Sequence, residues 1–358
     1  TSVDLDIQRE PFARPFAFKG SAFHEKWNMV VRLCDDMGTE ACGIGGLAVL
    51  WSDPNVFSTH TESGGNALQV ATLEKALQAS LAVDWESPPD LLAAVRDTAE
   101  QFARLVTGRG PDLQPTFVLN ALVALDNAAW VLWARRHGMD RFDDWVPPAA
   151  ASALGHRQPR VALTPAVGYN MPDAQIAELL DAGAAILKVK LGHPGDPAEM
   201  AAGDCRSLRR LAPLLRGAHT PWTQSGRVGL YLDANGRYQS KSTLRAVLDE
   251  ADRQDLLDRI VVLEEPFAAH MEETVDDLGV LVAADESLHD PADVALRCQA
   301  GYGAIAVKPA GKTLSVAFDM LAAAAAQDMI AFVADNACVP VLVEWNKNIA
   351  ARLPAVPG

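Results

Sequence analysis

The sequence predicts an α/β protein, a parallel (β/α) barrel preceded by a smaller domain. Three observations carry this. From about residue 160, short apolar or β-branched runs alternate with amphipathic stretches, at 161–168, 186–190, 229–233, 260–264, 280–284, 304–308 and 330–334. Residues 1–150 show no such alternation. The 358 residues exceed one ordinary domain and suit a barrel of about 200–250 residues plus a second unit. A doubly wound open sheet is the alternative, but no GxGxxG follows the first run.

In the first unit, 28–34 and 47–51 read as strands, with Gly43, Gly45 and Gly46 as the turn between them. From Asp53 to Asn66 the chain is polar and turn-rich, so a loop over about 51–66 is expected to act as a lid, with Gly64-Gly65 as its hinge. Over 117–136, Val118, Leu122, Leu125, Ala129 and Leu132 recur at helical spacing. Pro147-Pro148 and the Ala/Ser stretch after it read as a linker, which places the boundary near 150. In the second unit, Asp173 to Gly183 carries an N-cap, an inward face of Ile176, Leu179 and Leu180, and a glycine stop.

Hydrophobic residues make up 49% and charged residues 22%, enough for a large core without staples. The five cysteines (Cys34, Cys42, Cys205, Cys298, Cys338) form no CxxC pair, so reduced thiols, a cytoplasmic setting and no cysteine zinc site are expected. A net charge of −15 opposes a nucleic-acid partner, and an anionic substrate would need local cations. No apolar run approaches the ~20 residues of a membrane span, and the N-terminal residues have no signal-peptide character. The expectation is a soluble protein with no membrane partner.

The charged residues fall where the apolar runs stop: Lys188 and Lys190, then Asp233, Glu264, Asp285 and Lys308. In a parallel barrel all strand C-termini open on one face, so these side chains should converge. Asp233, Glu264 and Asp285 end three consecutive strands, and three carboxylates in one pocket raise one another's pKa unless a cation compensates. An all-oxygen ligand set favours Mg2+, with Mn2+ as the other choice. Lys188 and Lys190 are two apart and share a strand face, while Lys308 lies four strands later, across the barrel. A lysine beside other cations has its pKa lowered toward that of a general base.

The motifs Lys188-Val189-Lys190, Asp233-Ala234-Asn235, Glu264-Glu265-Pro266, Asp285-Glu286-Ser287 and Lys308-Pro309 resemble those of the enolase superfamily. They occur in its order and are most similar to its mandelate racemase/muconate-lactonizing family, on the muconate-lactonizing side. Ala124–Trp130 also looks like the helix that precedes the barrel there, and the resemblance covers roughly 20–355. It implies an α+β capping domain over a (β/α)7β TIM-like barrel, with Mg2+ on Asp233, Glu264 and Asp285. Asn235, Glu265 and Glu286 would orient those ligands. Lys190 would be the base on one face of a carboxylate substrate and Lys308 the acid or base on the other. Lys188 would lower the pKa of Lys190 and meet the developing enolate. A homo-oligomer is also implied.

The departures from the family are informative. The His–Asp dyad of the mandelate-racemase side is absent, since the sixth run ends in Lys308 and the seventh in Asp335-Asn336. The segment Pro309-Ala310-Gly311-Lys312-Thr313 reads as shorter than the family's Lys-x4-Gly-Gly, and no eighth strand follows the helix at 341–353, so an open sheet edge is expected. Racemisation, epimerisation or cycloisomerisation leads the functional readings. Elimination of water, as in dehydratases and o-succinylbenzoate synthases, shares its first step. A Schiff-base aldolase or a non-catalytic metal-binding barrel stands further off. Trp51, Phe57, His60, Tyr169, Asn170, Asp335 and Asn336 are the candidate substrate contacts.

Overall fold

The computed structural model describes residues 2–334 and 338–358. Strands β1 (Ser2–Phe18), β2 (Ser21–Cys34) and β3 (Glu40–Leu47) form an antiparallel sheet in that order. The β1–β2 turn is Lys19-Gly20, both at positive φ (50° and 73°), the twist that a two-residue hairpin needs. Between β2 and β3 the turn is closed by Asp35, whose Oδ1 accepts from the N–H groups of Met37 and Thr39.

Four helices follow: α1 (Val49–Ser52), α2 (Pro54–Ser80), α3 (Pro88–Val106) and α4 (Pro115–Arg136). The expected strand at 47–51 therefore stops at Leu47, and the expected lid loop over about 51–66 is helical. The local reason is Asp53, which caps α2 by accepting from Asn55 and Val56 N–H while Pro54 takes the first helical position. Gly65 is no hinge: a Cβ there would stand 2.6 Å from Val49 Cγ2, so glycine lets α1 and α2 pass closely. The glycines expected to turn the chain after β2 lie inside β3 for a similar reason. At Gly43 a Cβ would meet the Ala128 nitrogen of α4 at 2.1 Å.

Helix α4 is buried nearly all round because β3 covers one side and the barrel another. Contrary to the expectation from apolar runs, it is long and apolar enough to cross a membrane by length and composition, and 89% of its most apolar window is buried inside the protein.

After short 3-10 turns at Phe142–Trp145 and Pro148–Ala150 the alternation begins. It runs β4 (Ala166–Val167), α5 (Asp173–Asp181), β5 (Ile186–Lys190), α6 (Pro197–Leu215), β6 (Gly229–Asp233), α7 (Lys241–Arg253), β7 (Ile260–Glu264) and β8 (Val282–Ala284). Then come α8 (Pro291–Gln299), β9 (Ala304–Val307), α9 (Pro309–Lys312), α10 (Leu314–Ala326), β10 (Ile330–Val333) and α11 (Pro340–Ala350). The seven strands pair in parallel in the order β10-β9-β8-β7-β6-β5-β4, so among the described residues β4 and β10 are edges. Helix α5 is capped by Pro172, with Asp173 in its first turn rather than at the cap. Gly183 ends it at φ +88°. Tyr231, Val262, Ala283 and Ala304 pack as one buried cluster with Phe332, contributed by five different strands.

The two units are joined by a buried seam. Asp126 of α4 accepts from the N–H groups of Leu314 and Ser315 at the start of α10 (2.8 and 3.1 Å) and from Ser315 Oγ (2.5 Å). Trp130 Nε1 donates to the same Ser315 Oγ, and its ring meets Phe318 edge-on. A helix of the first unit thus caps a helix of the barrel.

Candidate active site at the barrel mouth

Strand register brings the strand-end residues level. Lys190 pairs with Asp233 across β5–β6, and Asp233 with Glu264 across β6–β7. Lys188 and Lys190 alternate on β5, as a shared face requires, and both are buried. Lys188 Nζ lies 2.8 Å from Asp233 Oδ2 and 3.0 Å from Glu264 Oε2, and donates to Tyr231 Oη. Lys190 Nζ lies 2.5 Å from Asp233 Oδ2 and donates to Asn235 Oδ1 at 3.0 Å. From β9, Lys308 Nζ reaches Asp285 Oδ2 at 2.6 Å. The six residues expected to converge are brought together.

The supporting groups sit one layer out. Asn235 donates to Glu286 Oε1 (2.8 Å) and, through its N–H, to Asp233 Oδ1. Glu265 Oε2 accepts from the N–H groups of Asp285 and Ser287 and from Ser287 Oγ, which ties β7 to the turn after β8. Asn235 and Glu265 hold positive φ (47° and 39°), backbone strain at the ends of the strands that supply the carboxylates.

Charge and burial set the protonation. Burial disfavours the charged form of Lys188, but the Asp233 and Glu264 carboxylates outweigh it and hold its pKa above the usual lysine value. For Lys190 burial wins, helped by Lys188 and Lys308, and its pKa falls. Lys308 is again raised, by Asp285 and Glu264 against its burial. Burial works against the ionised forms of Asp233 and Asp285, yet the lysines around them push both well below the usual carboxylate range. Burial and Glu286 push Glu265 up to about 8.

The donor set fits a hard divalent cation. Glu264, Asp285 and Glu286 each offer a carboxylate oxygen, and these atoms lie within 4.8 Å of one another. Glu286 Oε2 is buried without a hydrogen-bond partner, which a cation bound to oxygen would satisfy. Glu286, expected to orient ligands, thus stands inside this cluster, whereas Asp233 Oδ2 is turned to the two lysines of β5.

Three groups at the mouth escaped the sequence reading. Lys312 ends α9, is 1% exposed, and places Nζ on the Asp285 main-chain oxygen and 3.1 Å from its Oδ1. Lys19, in the β1–β2 turn, lies 3.1 Å from Glu286 Oε1 and donates to the Trp51 carbonyl. Phe18 covers Lys190, with Nζ 5.1 Å from the ring centroid. The signals were a Lys-Gly turn between aromatic segments and a lysine set among apolar residues just past Lys308.

The candidate substrate contacts divide. Trp51 lies over Lys308 at 4.7 Å, and its Nε1 is buried without a hydrogen-bond partner. Phe57 packs against the Phe18–Trp51 cluster. His60 is turned to the Thr107 carbonyl (3.0 Å), inside the cap. Tyr169 donates to the carbonyls after β5 and lies tilted against the His193 ring. Asn170 is exposed, and Asp335 and Asn336 lie outside the described residues. The segment after Lys308 is not short: Pro309–Lys312 supply four residues, and Thr313-Leu314 stand where the Gly-Gly would. Thr313 takes φ 76°, ψ 154°, a conformation nearly reserved for glycine.

No family model and no curated protein matches the sequence. Solved structures do, at the level of fold. The chain is similar to a mandelate racemase/muconate lactonizing protein from Herpetosiphon aurantiacus, with a TM-score of 0.70 and 19% identity over 98% of this chain and 85% of that one. It is similar to a dipeptide epimerase from Enterococcus faecalis complexed with Mg and L-Leu-L-Tyr, with a TM-score of 0.67 and 16% identity over 99% and 87% of the two chains. A racemase from Streptomyces coelicolor with bound magnesium gives a TM-score of 0.64 and 19% identity over 99% and 86%. The architecture is therefore the capping domain plus barrel of the mandelate racemase/muconate lactonizing fold.

Proposed function

We propose that this protein is an isomerase of the racemase or epimerase type, which removes the proton α to a substrate carboxylate and returns it. Asp233, Glu264 and Asp285 would hold Mg2+ or Mn2+, with Glu286 beside them. The observation that carries this reading is the division of labour among the lysines. Of the three, Lys190 is held below its usual pKa, while Lys188 and Lys308 are held charged. When bound, the cation would offset the substrate carboxylate and the charge that grows as the α-proton leaves.

The chain's own groups supply the rest. Lys190, oriented by Asp233 and Asn235, takes the proton. Lys188, fixed as an ammonium by Asp233 and Glu264, faces the developing negative charge. Lys308, charged and on the far strand β9, gives a proton to the opposite face. Phe18 and Trp51 cover the lysines and would exclude water from them, and the Trp51 indole N–H is buried without a hydrogen-bond partner. Dipeptides and N-acyl amino acids are the first substrates to try, since dipeptide epimerases and an N-succinyl Arg/Lys racemase share the fold.

The test is exchange of α-protons in deuterated water with Mg2+, read by proton NMR across such a panel. At least one carboxylate should lose its α-proton signal, and EDTA should stop the loss. An absence of exchange across the panel, with Mg2+ or Mn2+ present, would sink the proposal.

A further inference from the structure

Among the described residues, the mouth brings together the carboxylates of Asp233, Glu264, Glu265, Asp285 and Glu286 and the lysines Lys19, Lys188, Lys190, Lys308 and Lys312. Three lysines serve the proposed chemistry and Lys19 belongs to the cap. Lys312 serves neither, yet it is among the most deeply buried side chains of the molecule.

The two oxygens of Asp285 are treated differently. Oδ1 takes Lys312 Nζ at 3.1 Å, and the same ammonium donates to the Asp285 main-chain oxygen. Oδ2 is ion-paired with Lys308 Nζ at 2.6 Å, a lysine of the proposed chemistry. Lys312 also has little freedom to leave. Its N–H and that of Gly311 both return to the Lys308 carbonyl (2.7 and 2.9 Å), Gly311 lies against the Trp51 ring, and Thr313 follows in strained backbone. Beyond Thr313, α10 is gripped by Asp126 of the cap.

We infer that Lys312 is a fixed internal counter-cation: it pins Asp285 through Oδ1 and the main-chain oxygen and keeps the affinity of the cation site for divalent ions low. The inference rests on the metal-site reading above. An ammonium on one oxygen of a carboxylate repels a divalent ion on the other, and in a buried pocket the repulsion is weakly screened. A purely structural lysine would behave oppositely, since its loss would disorder Asp285 and weaken binding.

The experiment is Mn2+ binding by electron paramagnetic resonance on the whole chain, for the wild type, Lys312→Gln and Lys312→Met. Melting is followed alongside, with EDTA and with Mn2+. The Gln variant keeps a donor for the Asp285 oxygens and drops only the charge. Both variants should bind Mn2+ about tenfold tighter or more, melt lower in EDTA, and gain more from Mn2+ than the wild type. A variant that folds only with Mn2+ supports the same conclusion. Equal or weaker binding in both variants overturns the role of Lys312 alone, as does failure of both to fold in millimolar Mn2+. No Mn2+ bound by any of the three proteins overturns the metal-site reading and this inference with it.

Discussion

Two buried aspartates, Asp126 at the seam between cap and barrel and Asp285 at the barrel mouth, are pushed in opposite directions. Burial raises the carboxyl of Asp126 to about 6, because its partners, two backbone N–H groups and a serine hydroxyl, are neutral. Burial acts on Asp285 as well, but the ammoniums of Lys308 and Lys312 reverse it and hold the carboxylate ionised. Neutral donors make a joint, whereas cations keep an anion ready to serve another cation. The seam therefore reads as a joint and the mouth as a charged site, though both aspartates are buried.

Exchanging each aspartate for asparagine probes that contrast, and the mouth should suffer most. Asp285→Asn leaves two buried lysines without their counter-charge and is expected to cost about 3–5 kcal/mol in denaturant unfolding at neutral pH. An effect below about 1 kcal/mol would mean that the ammoniums find other partners. The stability that Asp285 lends is present at neutral pH and is lost only as pH falls through its depressed folded pKa.

Asp126 should show the reverse dependence. Its folded pKa of about 6 exceeds the ordinary 3.8, so its contribution is fully present below pH 3.8 and is lost as pH rises through about 6. The stability of the wild type minus that of Asp126→Asn should fall by about 3 kcal/mol across that window. A flat difference would show that Asp126 is not held neutral.

The smallest effect belongs to the loop between them. Thr313→Gly relieves a conformation that costs a β-branched residue about 1–3 kcal/mol, less the entropy glycine adds to the unfolded chain and a lost cap to Val316. A net gain of about 1 kcal/mol is expected in the same unfolding assay. Destabilisation would mean that the Thr313 hydroxyl matters more than the backbone strain.

The mouth was legible because its grammar is local. Lys188, Lys190, Asp233, Glu264, Asp285 and Lys308 each end an apolar run, and parallel strands carry such ends to one rim. The cap was less legible because tertiary packing decides its glycines. Gly43 and Gly65 read as turn and hinge, yet each is small because another backbone or a valine passes within van der Waals contact. Lys312 and Asp126 escaped because their partners lie 27 and 189 residues away, and no periodicity marks such a pairing. The long strand β1 escaped although Val3, Leu5 and Ile7 alternate with Asp4, Asp6 and Gln8, because Pro11 and Pro15 interrupt the rest of it and most of it is exposed on the sheet edge.

The most direct test of the two-lysine mouth follows α-proton exchange separately for the two stereoisomers of a responsive carboxylate. Lys190→Ala should lose exchange from the isomer whose α-proton faces it by about 100-fold or more, whereas Lys308→Ala should keep that exchange and lose inversion to the other isomer. Exchange of both isomers at the wild-type rate in either variant would contradict the account.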